Sequence, residues 1–268
     1  MRCPSDTGDP DIRYRSFVVY FGGVVVTWIS YAQNFEDVML LRALKGVQSG
    51  FYIDVGAQHP RIDSVSRAFY DRGWRGIHVE PVPAYAALLR ADRPDETVVQ
   101  AVLGKQRGEA TFYVIRETGL STVIQGIAEQ HAHNGFPVDR IDVQQSTLAA
   151  VFKMAEGREV HWLKIDVEGS EPEVLHGWLR NQVRPWIVVV ESTLPLSDVP
   201  LDPVWERALL RRGYGFVYFD GLNRFYVHES HADLSAAFSH GACVFDDFAL
   251  SGLASAPFCK HLLLDHQY

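Results

Sequence analysis

The sequence predicts an α/β fold, a mostly parallel and doubly wound sheet that finishes with an antiparallel hairpin. Apolar runs rich in β-branched and aromatic residues recur at 51–55, 76–80, 98–103, 162–167 and 186–191. Most are nearly continuous in apolar character, as strands buried on both faces must be. Helix-like segments at 37–44, 63–72, 84–90 and 171–179 lie between several of them, and that alternation gives parallel strands joined by crossover helices. After Glu191 the texture changes. Residues 204–212 read as a helix, and the runs 216–220 and 224–227 flank Asp220-Gly221, a dipeptide that marks a hairpin.

Composition narrows the class. The 268 residues suit one α/β domain, with 47% hydrophobic and 22% charged residues, the balance of a globular chain with a sizeable core. A net charge of −8 disfavours nucleic acid and anionic membrane as partners. Cys3, Cys243 and Cys259 are far apart and form no CxxC or zinc-like pattern, which fits a reducing, cytoplasmic location. The apolar run 17–29 is interrupted by Gly22 and Gly23 and falls short of the roughly 20 residues that span a bilayer. Asp6, Asp9 and Asp11 precede it, against the basic start of an export signal. Stable membrane insertion is therefore not expected.

Chemistry concentrates where the strands end. The first strand runs into Asp54-Val55-Gly56-Ala57, a junction of the nucleotide-binding kind. A dinucleotide site would need G-x-G-x-x-G there so that backbone amides could approach a pyrophosphate, and only Gly56 is present. The next strand ends in Glu80-Pro81, an acidic side chain 24 residues after Gly56, where a ribose diol can be held. Ribose recognition without a phosphate cradle points to a nucleoside-type ligand, of which S-adenosylmethionine is the common one. Its cationic sulfonium and amino groups suit an acidic pocket. Each motif alone reads more readily as a turn-forming Asp54 or a solvated Glu80; their spacing on consecutive strands reverses that and favours the ligand.

Asp166 and Glu168 follow the fourth strand and Glu191 ends the fifth, at the carboxyl ends where open α/β sheets bind ligands. Clustered carboxylates raise one another's pKa and serve as a general base or gather a divalent cation. A bridging Mg2+ on Asp166 and Glu191 stays open beside the base reading, because oxygen ligands cannot be counted from sequence. Glu168 and Glu171 also suit the positive end of a helix starting near Ser170, and that is the preferred reading of Glu171. The hairpin 218–226 combines aromatic faces with Asp220, Asn223 and Arg224, and with Tyr218 would suit a sugar; an ordinary hairpin with core aromatics fits it equally. His131, His133 and His161 read as surface or core histidines.

These residues resemble the FkbM family of S-adenosylmethionine-dependent methyltransferases. The likeness rests on 30–40 (SYAQNFEDVML), the Asp54–Ala57 turn, Asp63-Ser64-Val65, Gly73-Trp74-Arg75-Gly76-Ile77, Glu80-Pro81 and, most specifically, the LKIDVEGSE run at 163–171. It implies a Rossmann-like class I methyltransferase fold over 28–228, an N-terminal extension at 1–27 and a C-terminal appendage at 229–268. It also implies that Gln33 reaches the methionine part of the cofactor, that Asp54, Gly56 and Ala57 line its turn, that Glu80 and Pro81 stand at the ribose, and that Ala101 sits by adenine. His59 lies where family members vary, and is a base candidate on its chemistry alone. The expected activity is O-methylation of a hydroxyl on a sugar, oligosaccharide or glycosylated metabolite. Beside it stand O-methylation of a polyketide or other small alcohol, and a non-catalytic nucleoside-binding module.

Overall fold

The computed structural model describes residues 28–256, apart from 117, 195, 196, 198 and 200–202, together with two short strands at 19–21 and 24–26. Those strands, β1 (Val19–Phe21) and β2 (Val24–Val26), pair antiparallel. There follow β3 (Trp28–Ser30), α1 (Glu36–Ala43), β4 (Phe51–Val55), α2 (Arg67–Asp71), β5 (Arg75–Val79), α3 (Pro83–Asp92), β6 (Thr97–Val99), β7 (Val102–Leu103) and β8 (Gly108–Ile115). Next come α4 (Gln125–His133), β9 (Val138–Ser146), α5 (Leu148–Met154), β10 (Trp162–Ile165), α6 (Glu171–His176), β11 (Ile187–Glu191), α7 (Glu206–Leu210), β12 (Tyr214–Phe219) and β13 (Asn223–His228). Two 3-10 segments, Glu229–Phe238 and Val244–Asp246, lead to β14 (Phe248–Leu250).

The fold is mixed α/β. Its main sheet has seven strands in the order β12-β13-β11-β10-β4-β5-β6. From β11 to β6 neighbouring strands run parallel, and the expected hairpin closes the other edge antiparallel. The strands are buried on both faces, which explains their continuous apolar runs. Ile53, Val55, Leu163, Ile165, Val188 and Val190 pack with α5, α6 and α7 on one side. The alternate positions Tyr52, Trp162, Ile187 and Val189 pack with α1, Phe69 and Trp74 on the other. The chain builds β5 and β6 to one side of β4 and β10 and β11 to the other. The order therefore reverses between β4 and β10, where a crevice opens at the carboxyl ends.

Several boundaries differ from the sequence reading, each for a local reason. The single strand expected at 98–103 is two, because the chain turns at Ala101, whose N–H bonds back to Val99 O at 3.1 Å, and β7 leaves to join β9 and β8 in a separate sheet. The helix expected from 63 begins at Arg67, since Asp63 has a left-handed φ of 55°. The helix expected to reach 179 stops at His176, ahead of Gly177 and a left-handed Leu179. The β8–β9 hairpin and α4 between them carry no strong apolar period, and β9 (VDRIDVQQS) alternates half-exposed with exposed positions.

Residues 229–256 have definite contacts. Phe238 is buried in the core beside α1, and β14 runs parallel to β3. The Arg42 guanidinium ties them, reaching Asp246 Oδ2 at 2.6 Å and the carbonyls of Ala237, His240 and Gly241. Cys3, Cys259 and most of the segment 1–27 lie outside the described residues. Among those described, no helix is long and apolar enough to cross a membrane.

Candidate active site

A cavity of about 540 Å³ opens at the carboxyl ends of β4, β5, β10 and β11. Its floor on one side is the turn after β4. Gly56 there has φ 84°, and a Cβ would stand 1.7 Å from the Asp166 carbonyl oxygen, so only glycine lets this turn nest against the end of β10. The N–H groups of Gly56 and Ala57 bond to Val79 O at 2.9 and 3.3 Å, which fixes the turn to β5 as well. Glu80 follows directly. Its Oε1 accepts the Val82 N–H at 2.7 Å and its Oε2 the Gln58 N–H at 2.8 Å. Burial pushes this carboxyl up to about 7 while those two donors pull it down. Pro81 and Ala101 line the same wall, and Gln33 reaches the cavity from the loop before α1.

Asp54 does not line the cavity; it supports it from beneath. In register across the sheet, His78, Asp54 and Lys164 form one row. Asp54 Oδ2 accepts the Ser66 hydroxyl at 2.6 Å, and the fully buried Arg93 donates to that same hydroxyl at 2.8 Å and to Pro60 O at 2.6 Å. The loop leading to α2 is thereby held against β4. Nothing in the apolar periodicity of the sequence marks Arg93.

The opposite wall is acidic. Asp166, Glu168 and Glu191 converge, one carboxylate oxygen from each lying within 4.8 Å of the others. Glu168 sits in the left-handed turn Glu168-Gly169 (φ 52° and 97°), which swings its carboxyl toward the other two instead of along α6. Thr122 locks that turn by donating to Glu168 O at 2.8 Å. Glu171 stands in the first turn of α6, and its Oε1 accepts the N–H groups of Val167 and Gly169 in the preceding loop at 3.2 and 3.1 Å. Lys164 places its ammonium 2.5 Å from Asp166 Oδ2. Burial opposes that charge, but Asp166, Asp54 and Glu36 hold the ammonium well above its usual range. Burial, Asp166 and Glu171 lift Glu168 to about 9, and burial with all three acidic neighbours lifts Glu191 well above the carboxylate range.

His59 lines the cavity, yet its Nδ1 accepts the N–H groups of Arg61 and Ile62 at 3.1 and 3.0 Å. In the neutral ring the proton then sits on Nε2, so His59 offers a donor rather than a base. The structure does not bring Tyr218, Asp220, Asn223 and Arg224 to the cavity, which takes only Leu222 from that hairpin. Asp220 is consumed by its own turn, Oδ1 accepting the N–H groups of Leu222 and Asn223 at 2.8 and 2.6 Å. Asn223 is fully buried and donates to Glu36 Oε1 at 3.0 Å; Arg224 lies 3.5 Å from Glu206 and over the Phe216 ring. Tyr218 is half-buried and packs against the core beside Phe225.

Three sets of cavity residues were not singled out by sequence: Glu36, Lys164, and Leu120, Val123 and Phe136 around α4. Glu36 and Lys164 stand inside the two motifs of the family resemblance, so the signal was present without an assigned role. The α4 residues had none, lying in the stretch of weak periodicity.

A model of the methyltransferase FkbM domain matches residues 54–218. No curated protein matches the chain. Among solved structures, methyltransferase FkbM from Methylobacillus flagellatus KT is similar at 14% identity with a TM-score of 0.43, over 70% of this chain and 48% of that one. The chain thus spans about half the length of that protein. The matched segment carries the Gly56 turn, Glu80 and all three converging carboxylates, and the chain belongs to the FkbM methyltransferase family.

Proposed function

We propose that the chain is an S-adenosylmethionine-dependent O-methyltransferase of the Rossmann-like class I type, its domain spanning 28–228, acting in the cytoplasm on the hydroxyl of a saccharide or glycosylated metabolite. The observation that carries this reading is the meeting, in one cavity, of a single-glycine turn with a buried carboxylate and, facing them, a cluster of carboxylates. The donor set fits the cofactor. Glu80 keeps lone pairs free after accepting two N–H groups and can take both hydroxyls of a ribose. The cavity is lined by Glu36, Asp63, Glu80, Asp166, Glu168 and Glu191 against the single ammonium of Lys164 among the described residues, which suits a sulfonium and an amine.

When bound, S-adenosylmethionine supplies an electrophilic methyl group. Gln33, Gly56, Ala57, Pro81 and Ala101 would flank it, with Glu80 at the ribose. Asp166 and Glu191 would face the acceptor, and the ionised member of the pair would take its hydroxyl proton as the oxygen attacks, a role that needs a carboxylate near an alcohol of high pKa. Holding both reactants in one cavity supplies the rest, by proximity. A second reading, an apolar small alcohol such as a polyketide as acceptor, is favoured by Leu120, Val123 and Phe136, which line the cavity while the polar hairpin residues do not. Calorimetry with S-adenosylhomocysteine tests the cofactor. Release of that product over a panel of saccharides and hydroxylated polyketides tests the acceptor, and product release with apolar alcohols alone would discard the saccharide.

A further inference from the structure

The three converging carboxylates cannot all be satisfied by the protein. Lys164 occupies Asp166 Oδ2, so that pair is neutral and Glu168 and Glu191 are left uncompensated. Glu168 is only 8% exposed, and its Oε2 is buried without a hydrogen-bond partner. A buried, unpartnered carboxylate oxygen is costly. One carboxylate oxygen of Asp166 and one of Glu191 lie within 4.8 Å of each other, a separation two carboxylates hold cheaply only with something positive between them.

Rigid backbone supports the cluster. Asp166 is wedged by the Gly56 turn, and Glu168 is pinned by Thr122 and its left-handed turn. The side chains therefore cannot relax apart cheaply. A single proton between Asp166 and Glu191 would leave Glu168 Oε2 unpaired, whereas a cation of charge two balances both uncompensated carboxylates at once. Hard, oxygen-preferring dications take carboxylate ligands of this kind and keep open positions for water or a substrate oxygen.

We propose that Asp166, Glu168 and Glu191 bind one divalent cation of the Mg2+ or Mn2+ class at the acceptor wall of the cavity. Its chemical role rests on the methyl-transfer reading: a cation there lowers the pKa of an acceptor hydroxyl that it touches. Binding itself does not depend on that reading, so the two fail separately.

The test uses the full chain, stripped with chelator and free of cofactor, titrated with Mn2+ while the signal of free Mn2+ is followed by electron paramagnetic resonance. One saturable site is expected, emptied by competing Mg2+ and tightening as pH rises because metal and protons compete for the same oxygens. Glu168→Gln and Glu191→Gln should each weaken it at least about tenfold, since even loss of an outer partner costs that much. Glu191→Asp, which keeps the charge and shortens the reach, serves should either amide variant fail to fold, and should also weaken binding. No saturable site in the wild type, or equal Mn2+ affinity in folded wild type and variants, would overturn the proposal. Calorimetry with S-adenosylhomocysteine on the same metal-free samples reports the cofactor reading independently.

Discussion

Two walls of one cavity bury carboxylates at the ends of parallel strands, and they solve the problem differently. Glu80 stands singly, and two backbone N–H groups converge on its two oxygens. On the far wall Lys164 pairs with only one of the three carboxylates, Asp166, and one oxygen of Glu168 has no partner. Burial raises both sites, yet Glu80 is lifted to about 7 and Glu168 to about 9. Burial alone therefore does not set the chemistry; the ratio of donors to carboxylates does. A carboxyl held by fixed donors is built to accept hydrogen bonds, and a crowded set is built to exchange a positive charge, as a proton or a metal.

That contrast breaks most visibly in turnover. Asp166→Asn and Glu191→Gln should lower kcat by about 10²–10⁴-fold, the usual worth of a general base, while leaving the affinity for S-adenosylhomocysteine within about twofold. Equal loss of cofactor affinity would show that the two walls are not separate in function. The reverse pattern belongs to Glu80→Ala. It should weaken cofactor binding by roughly 1–3 kcal/mol, because the N–H groups of Gln58 and Val82 and the ribose hydroxyls all lose their acceptor. If calorimetry finds unchanged affinity in that variant, Glu80 does not hold the cofactor.

How far these walls were legible in the sequence follows the same division. Strand ends are readable because both-face burial forces continuous apolar runs, so Asp54, Glu80, Asp166 and Glu191 stand out as carboxylates closing such runs. Their mutual geometry was not readable. Asp54 turned inward to Ser66, and Glu168 joined the cluster only through a left-handed turn that a non-glycine residue rarely adopts. Lys164 was hidden for the opposite reason, since a charged residue inside a buried strand is tolerated only where Asp54, Asp166 and Glu36 surround it. The segment around α4 escaped because a half-exposed β8–β9 hairpin leaves little apolar periodicity. At 218–226 the hairpin itself was legible from Asp220-Gly221, but whether its polar side chains face ligand or serve the turn depends on burial that the pattern does not encode.

A smaller effect separates that hairpin from both walls. Asp220→Ala removes an acceptor from two turn N–H groups and should cost about 0.5–1.5 kcal/mol of stability, the net worth of such bonds. Cofactor affinity and acceptor KM should not move, because Asp220 does not line the cavity. A selective rise in acceptor KM at unchanged melting temperature would restore the hairpin to the acceptor site.

The finest distinction between the walls lies in the slope of stability with pH. A carboxyl raised on folding keeps its proton in the native state while the unfolded chain has released it. The native state then binds more protons, and stability falls as pH rises from the unfolded value toward the folded one. For Glu168 that window runs from its ordinary 4.5 to about 9. Glu80, Glu36 and Glu171, each raised to about 7, add a decline that ends earlier. Glu168→Gln removes one titration and leaves the others, so the melting temperature of the variant minus that of the wild type should grow from pH 4.5 to about pH 9. Millimolar Mg2+ should flatten the wild-type curve at the alkaline end and leave the variant nearly unchanged, since the cation takes the place of the departing proton. Parallel curves for the two proteins across the whole range would mean that Glu168 ionises as freely folded as unfolded, and the difference between the two walls would vanish with it.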